Sequence, residues 1–247
     1  MLEYGQGYQQ AIIKWQNFHQ DTSDEAQRQL YGLEREIAVM NLLAASMSNL
    51  ICFHSVRFGP KSGKKSIEID LLLLTADGAL TPVEVKGYKG NYDLAKDGKS
   101  FLRMDDARYP DGKPVSNPVN QLKRTIRLLQ EHLEPFDLYP AIVPILAFTE
   151  NFAATEEVYK SFEAEIPAIK FLRPHHLPGY LEMATRLPFK KVGPAYRLLN
   201  LLQDKFKQVP ALIPPNFPKP PERHKPASLP NGQPRQQNAT TSGGGTS

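Results

Sequence analysis

Asp70 and, 14 positions later, Glu84 followed by Lys86 are the residues whose types and spacing can do chemistry in this chain. Asp70 lies in Ile67-Glu-Ile-Asp-Leu-Leu-Leu-Leu74, and Glu84 and Lys86 lie in Leu80-Thr-Pro-Val-Glu-Val-Lys86. Side chains alternate along a strand, so Glu84 and Lys86 share one face while Val83 and Val85 take the other. A carboxylate and an ammonium held side by side suit metal-assisted attack on a phosphate. Mg²⁺ or Mn²⁺ takes carboxylates, carbonyls and waters as ligands. A positive group nearby steadies the charge that develops. Asp70 and Glu84 can supply the carboxylates and the Val85 carbonyl a third ligand. Lys86 can act on the attacking water or on the phosphorane-like charge. Glu-x-Lys is also an ordinary solvated pair of edge strands, and Asp70–Lys86 could be a structural ion pair. What separates these readings is that Asp70 enters a run of four leucines, where a carboxylate needs a cation, a metal or donors.

The elements that must position these groups follow from periodicity. Thr75-Ala-Asp-Gly-Ala79 has turn composition and joins the two strands as a hairpin. The run Leu71–Leu74 predicts a strand covered on both faces. Residues 50–58 read as a strand, and a basic loop, Gly59-Pro-Lys-Ser-Gly-Lys-Lys65, leads from it into the hairpin. Before these, Leu30, Leu33, Ile37, Met40, Ala44 and Met47 recur at helical spacing. After them, Asn117 and Pro118 open a helix as N-cap and first residue, with a stripe of Val119, Leu122, Ile126, Leu129 and Leu133. Residues 140–148 form a strand interrupted by Pro144. A helix over 153–165, a strand over 168–172 and helices over 175–186 and 194–207 complete the pattern, with a further helix around Ile12, Trp15 and Phe18. The order predicts an α/β class protein, an α/β/α sandwich around a central mixed sheet.

An Asp followed by Glu-x-Lys on a hairpin resembles the PD-(D/E)xK nuclease superfamily, and more narrowly the nuclease-related domain (NERD) family. The resemblance spans roughly residues 32–134 and rests on four motifs in order: Gly32-Leu-Glu-Arg-Glu-Ile-Ala-Val39 with Leu43, Glu68-Ile-Asp70, Val83-Glu-Val-Lys-Gly-Tyr-Lys-Gly90, and Asn117-Pro-Val-Asn-Gln121. It implies a restriction-endonuclease-like core, with a Glu from the first helix and a Gln from the later one joining the hairpin residues. The family's Gly-Glu at the first helix stands here as Arg35-Glu36, and its basic or aromatic residue after the Asp as Leu71. Helical geometry favours Glu36 for the first role. It falls about 60° from the centre of the apolar stripe and can reach the sheet edge, whereas Glu34 lies roughly 100° away on the opposite flank and meets water. Gln121 falls about 110° from its stripe, at the rim of the helix, where it can position a water or phosphate or be only a rim residue.

Lys89, Lys96, Lys99 and Arg103 flank the hairpin and read as a phosphate-binding strip, while Lys64 and Lys65 could grip phosphates or merely keep a loop soluble. Lys123, Arg124 and Arg127 could likewise grip phosphates or form only a solvated helix face, and His175-His176 reads as a loop or helix start. Tyr88 could stack on a base or pack over the hairpin.

Composition narrows the classes. With 40% hydrophobic and 23% charged residues the chain is an ordinary globular protein. No apolar run approaches the ~20 residues of a membrane span, so no membrane association is expected. The start lacks the pattern of a secretory signal. A single cysteine, Cys52, excludes an intrachain disulfide and a cysteine zinc cluster, which fits a reducing cytoplasmic location. Three of the four net positive charges lie beyond Gln208, so overall charge says little about nucleic acid. From Pro210 the sequence is Pro-rich and then Gly/Ser/Thr-rich, a linker-like composition after which the protein could continue. The expected organisation is an N-terminal helical extension over 1–28, a nuclease-like domain over 29–207 and a tail over 208–247.

Two functions are expected from these readings. The first is a Mg²⁺- or Mn²⁺-dependent nuclease acting on DNA, with Glu36, Asp70, Glu84 and Val85 holding metal, Lys86 catalytic and Gln121 positioning. The second is a catalytically silent nucleic-acid-binding or docking module of a larger protein. The family resemblance implies that the larger protein could carry a helicase or kinase domain.

Overall fold

The computed structural model describes residues 13–17, 23–46, 50–58, 67–75, 77–97, 100–185 and 192–206. Lys64, Lys65, Lys99, Met47, Ile12, Phe18 and the tail beyond 206 lie outside the described residues. A five-stranded sheet forms the centre. Its strands are β1 (Leu50–Phe58), β2 (Ile67–Thr75), β3 (Leu80–Lys86), β7 (Ile145–Phe148) and β9 (Lys170–Leu172), in that spatial order. The β1–β2 and β2–β3 pairs are antiparallel, and β3–β7 and β7–β9 are parallel, so the sheet is mixed. Between β2 and β3 the chain reverses in a tight turn. Thr75 N–H donates to the Ala79 carbonyl at 3.1 Å, and Gly78 takes φ +89°, a left-handed conformation that glycine adopts without penalty.

The run Leu71–Leu74 is fully buried because each face of the sheet is covered. Leu72 and Leu74 pack with Leu128, Leu129 and Leu133 of α2 (Pro118–Leu133) and with Leu198 and Leu202 of α5 (Val192–Phe206). Leu71 and Leu73 pack with Leu33, Met40 and Leu43 of α1 (Asp24–Ser46) and with Leu177 and Leu181 of α4 (Leu177–Thr185). Each such leucine contributes about 1.5–3 kcal/mol of burial, which makes this strand the anchor of both layers. The fold is an α/β/α sandwich around a mixed sheet. Among the described residues no helix is long and apolar enough to cross a membrane.

A second sheet, in the order β6 (Lys113–Val115), β5 (Phe101–Arg103), β4 (Gly90–Leu94) and β8 (Phe152–Ala154), abuts the first. Its core is aromatic: Tyr92 stacks on Phe101 with ring centroids 5.1 Å apart, and Phe148 of β7 stacks on Phe152 at 3.9 Å. Strands this short carry too few residues to show a period, and this sheet is absent from the sequence reading. Its last strand corrects the helix read over 153–165. Phe152–Ala154 pairs in parallel with β4, and α3 begins only at Glu156, running to Glu165. The strand read over 140–148 likewise shortens to Ile145–Phe148. Pro144 sits just before it, and its carbonyl accepts from Lys170 N–H at 3.0 Å.

Candidate active site

Asp70 sits where the β2–β3 ladder stops. The two strands pair from Leu74–Leu80 to Leu71–Val83, and the next pair would set Asp70 opposite Glu84. Instead the Asp70 Oδ2 accepts the Val85 N–H at 2.7 Å, so a side-chain carboxylate stands in the gap in place of a main-chain carbonyl. The cause is a change of face in both β1 and β2. Ile69 packs in the α2/α5 core and Leu71 in the α1/α4 core, although two residues apart they should share a face. On β1, Cys52 and Val56 divide in the same way, and Ser55 between them has φ +53° and no ladder partner. This twist turns Asp70 from a face of the sheet toward the strand end.

Glu84 and Lys86 share a face, as alternation requires, and Lys86 Nζ donates to Glu84 Oε1. Lys86 Nζ also donates to Gln121 Oε1 at 3.3 Å, and Gln121 Nε2 reaches the Glu68 carbonyl at 3.4 Å. Gln121 is placed by its helix start: the Asn117 side chain accepts from Val119 N–H at 3.0 Å, and Pro118 follows at the first helical position. From the opposite face α1 brings Glu36, whose Oε2 lies 2.6 Å from His54 Nε2. His54 on β1 is only 2% exposed. The structure therefore brings together Glu36, Asp70, Glu84, Lys86 and Gln121 at one strand end, and adds His54. The sequence reading assigned His54 no role, because its position beside Asp70 depends on the β1–β2 register, in which it pairs with Leu71.

Electrostatics mark the same place. Burial pushes the Asp70 carboxyl well above the usual carboxylate range, with Glu84 and Glu36 adding to it and Lys86 and the Val85 N–H opposing. Burial raises Glu84 too, against the pull of Lys86, with Glu36 adding. For Lys86 burial alone would lower the ammonium, but Glu84 and Asp70 outweigh it and hold it above its ordinary value. Glu84 Oε2 is buried with no hydrogen-bond partner, and a neighbouring Asp70 carboxyl can donate to Glu84 only when protonated. Three carboxyl groups face one ammonium, and an orphaned carboxylate oxygen is a costly group to leave uncompensated. A divalent cation on hard oxygen ligands answers both, so the donor set fits Mg²⁺ or Mn²⁺. Val85 turns its N–H, and with it its carbonyl, toward the β2 gap, while the Lys86 carbonyl accepts from Thr149 N–H at 3.1 Å on the β7 side. Among the described residues no three His, Cys, Asp or Glu side chains already converge on one metal-holding point.

Other residues singled out in the sequence take the following places. Glu34 is half-buried and accepts from Trp15 Nε1 at 3.1 Å, because the short helical segment over 13–17 lies against α1. Lys89 and Lys96 are both exposed and stand at opposite ends of β4, and Arg103 is engaged by Asp105 at 2.6 Å. Tyr88 packs: its ring lies 5.4 Å from that of Tyr92, and its hydroxyl donates to the Ser116 carbonyl at 2.7 Å. Lys123 is paired with Glu165 at 3.1 Å. Burial pushes the Cys52 thiol far up, which leaves it inert.

The chain is thus a mixed-sheet α/β/α sandwich with two carboxylates and a lysine at the mouth of a parted hairpin. Over residues 31–149 the chain matches the model of the nuclease-related domain (NERD) family. No curated protein shows a significant match. Among solved structures, the chain is similar to one in a structure of an EndoMS–dsDNA2 complex, with 18% identity and a TM-score of 0.31. That similarity covers 57% of this chain and 44% of the other, so less than half of the other chain's length is spanned.

Proposed function

We propose that the chain is a metal-dependent nuclease that hydrolyses phosphodiester bonds of DNA. The observation that carries this reading is the placement of Asp70, Glu84 and Lys86 at one parted strand end, with Glu84 Oε2 buried and unpartnered. Asp70, Glu84 and the Val85 carbonyl would hold Mg²⁺ or Mn²⁺, with Glu36 as a further ligand directly or through water. When bound, the ion supplies positive charge at the phosphate and acidifies a water. Lys86 keeps its proton at neutral pH under the influence of Glu84 and Asp70, so its role is to orient the water and stabilise charge on the phosphate rather than to act as a base. Gln121 fixes the Lys86 ammonium against the β2 backbone. His54 fixes the Glu36 carboxylate from the other face.

The test is incubation of the purified chain with plasmid and linear DNA, with Mg²⁺, Mn²⁺ or EDTA. Metal-dependent cleavage lost in Asp70→Ala and Lys86→Ala is the expected result; cleavage unchanged in both sinks the mechanism. DNA retention that ignores both divalent metal and Asp70 would instead support the silent binding module.

A further inference from the structure

The loop Thr149–Asn151 gathers cations beside the catalytic strand end. Arg35, one residue before Glu36, donates through Nη2 to Glu150 Oε1 at 3.1 Å. Its guanidinium lies against the backbone of Gly87, the residue after Lys86. A Cβ there would fall 2.2 Å from Arg35 Cζ, 2.3 Å from Nη1 and 2.5 Å from Nε, so the approach exists only because residue 87 is glycine. Arg173 donates to Asn151 Oδ1 at 3.2 Å. Gly90 N–H donates to the Asn151 carbonyl at 3.0 Å, which places exposed Lys89 at the same loop. Thr149 N–H in turn holds the Lys86 carbonyl. Three cations from three separate elements thus border one loop that is hydrogen-bonded to the end of β3.

We infer that Arg35, with Lys89 and Arg173 beside it, forms a subsite for a backbone phosphate of nucleic acid next to the phosphate that Lys86 addresses. This rests on the nuclease reading for the position of the scissile bond, but not for binding. A guanidinium is always charged, and its fork matches a phosphate in a two-point contact. The Arg35–Glu150 pair is partly exposed on both sides, at 29% and 39%, so it is a weak pair that an incoming phosphate can replace. Glu150 then holds the guanidinium against Gly87 in the free protein and competes with the ligand for it. Opposite outcomes follow for the two partners of one ion pair, which a purely structural brace would not produce.

The experiment measures binding of a fluorescein-labelled 20-nucleotide DNA, single-stranded and duplex, by anisotropy between 50 and 200 mM salt. It uses the full chain carrying Asp70→Asn in EDTA, so cleavage plays no part. Arg35→Gln is expected to weaken binding about tenfold and to reduce the slope of log K against log salt by about 1, the loss of one phosphate contact. Glu150→Gln is expected to tighten binding several-fold. Arg35→Lys, which keeps the charge, should hold the slope and lose only part of the affinity. An unchanged affinity and slope in Arg35→Gln, or equal weakening in Arg35→Gln and Glu150→Gln, overturns the subsite, as does a chain that binds neither DNA. A chain that binds as described but never cleaves with Mg²⁺ or Mn²⁺ would leave the subsite standing and remove the nuclease reading instead.

Discussion

Asp70 accepts the main-chain N–H of Val85 at 2.7 Å, in the place where the β2–β3 ladder would put a backbone carbonyl. That single bond seats a carboxylate between two strands in a largely dry environment, and Glu84 and Glu36 crowd it electrostatically. The consequences can be measured.

Stability should depend on pH through this site. Asp70 and Glu84 are both raised above their ordinary values, 3.8 and 4.5, so the folded chain holds their protons more tightly than the unfolded one. That contribution is fully present below the ordinary values and is lost as pH rises through the raised ones. In EDTA, thermal melting of the wild type should therefore fall with pH over that window. Asp70→Asn should flatten the dependence and stabilise the chain at neutral pH by on the order of 1 kcal/mol. Added Mg²⁺ or Mn²⁺ should raise the wild-type melting temperature more at pH 8 than at pH 5, and that of Asp70→Asn much less. A wild-type profile without slope in EDTA would contradict the crowding of these carboxylates.

Lys86→Met removes the ammonium that faces Glu84 and Asp70. Cleavage should drop by about 10²–10³-fold, the usual loss on deleting one group aimed at developing charge. Buried Glu84 and half-buried Asp70 then lack a cation, so denaturant melts in EDTA should show a loss of roughly 3 kcal/mol. Wild-type stability in this variant would mean that Lys86 points elsewhere.

Gln121→Leu keeps the helix and its bulk but frees Lys86 from its tether to the Glu68 carbonyl. The expected outcome is a loss of about tenfold in turnover with little change in DNA affinity, read from single-turnover rates and anisotropy. An affinity change without a rate change would assign Gln121 to substrate contact instead.

His54 reaches the site only through Glu36. His54→Ala should weaken the divalent-metal requirement curve by 10- to 100-fold, as expected when the partner of a ligand is removed. His54→Gln, which can still donate to Glu36, should recover much of it. Equal metal dependence in wild type and His54→Ala would leave His54 a packing residue.

Much of this was legible in order along the chain. The hairpin, the N-cap Asn117, the turn at Gly78 and the doubly covered Leu71–Leu74 run follow from local rules of alternation, capping and turn chemistry. Three-residue strands such as Phe152–Ala154 and Lys113–Val115 were not, since a strand that short displays no period and owes its form to the neighbour it pairs with.

By itself the sequence determined which groups are available. It supplied two carboxylates and a lysine on a hairpin, a Glu and a Gln on flanking helices, and Arg35-Glu36 in place of the family's Gly-Glu. Tertiary structure alone decided how they meet. The change of face at Ser55 and Asp70 turns one carboxylate into the strand gap, register sets His54 beside Glu36, and the missing Cβ of Gly87 admits Arg35 to the rim. The physical reason is range. Alternation and capping act over a few residues and can be read in one dimension. Whether a charge is buried, paired or left over is set by neighbours tens of residues away in the chain.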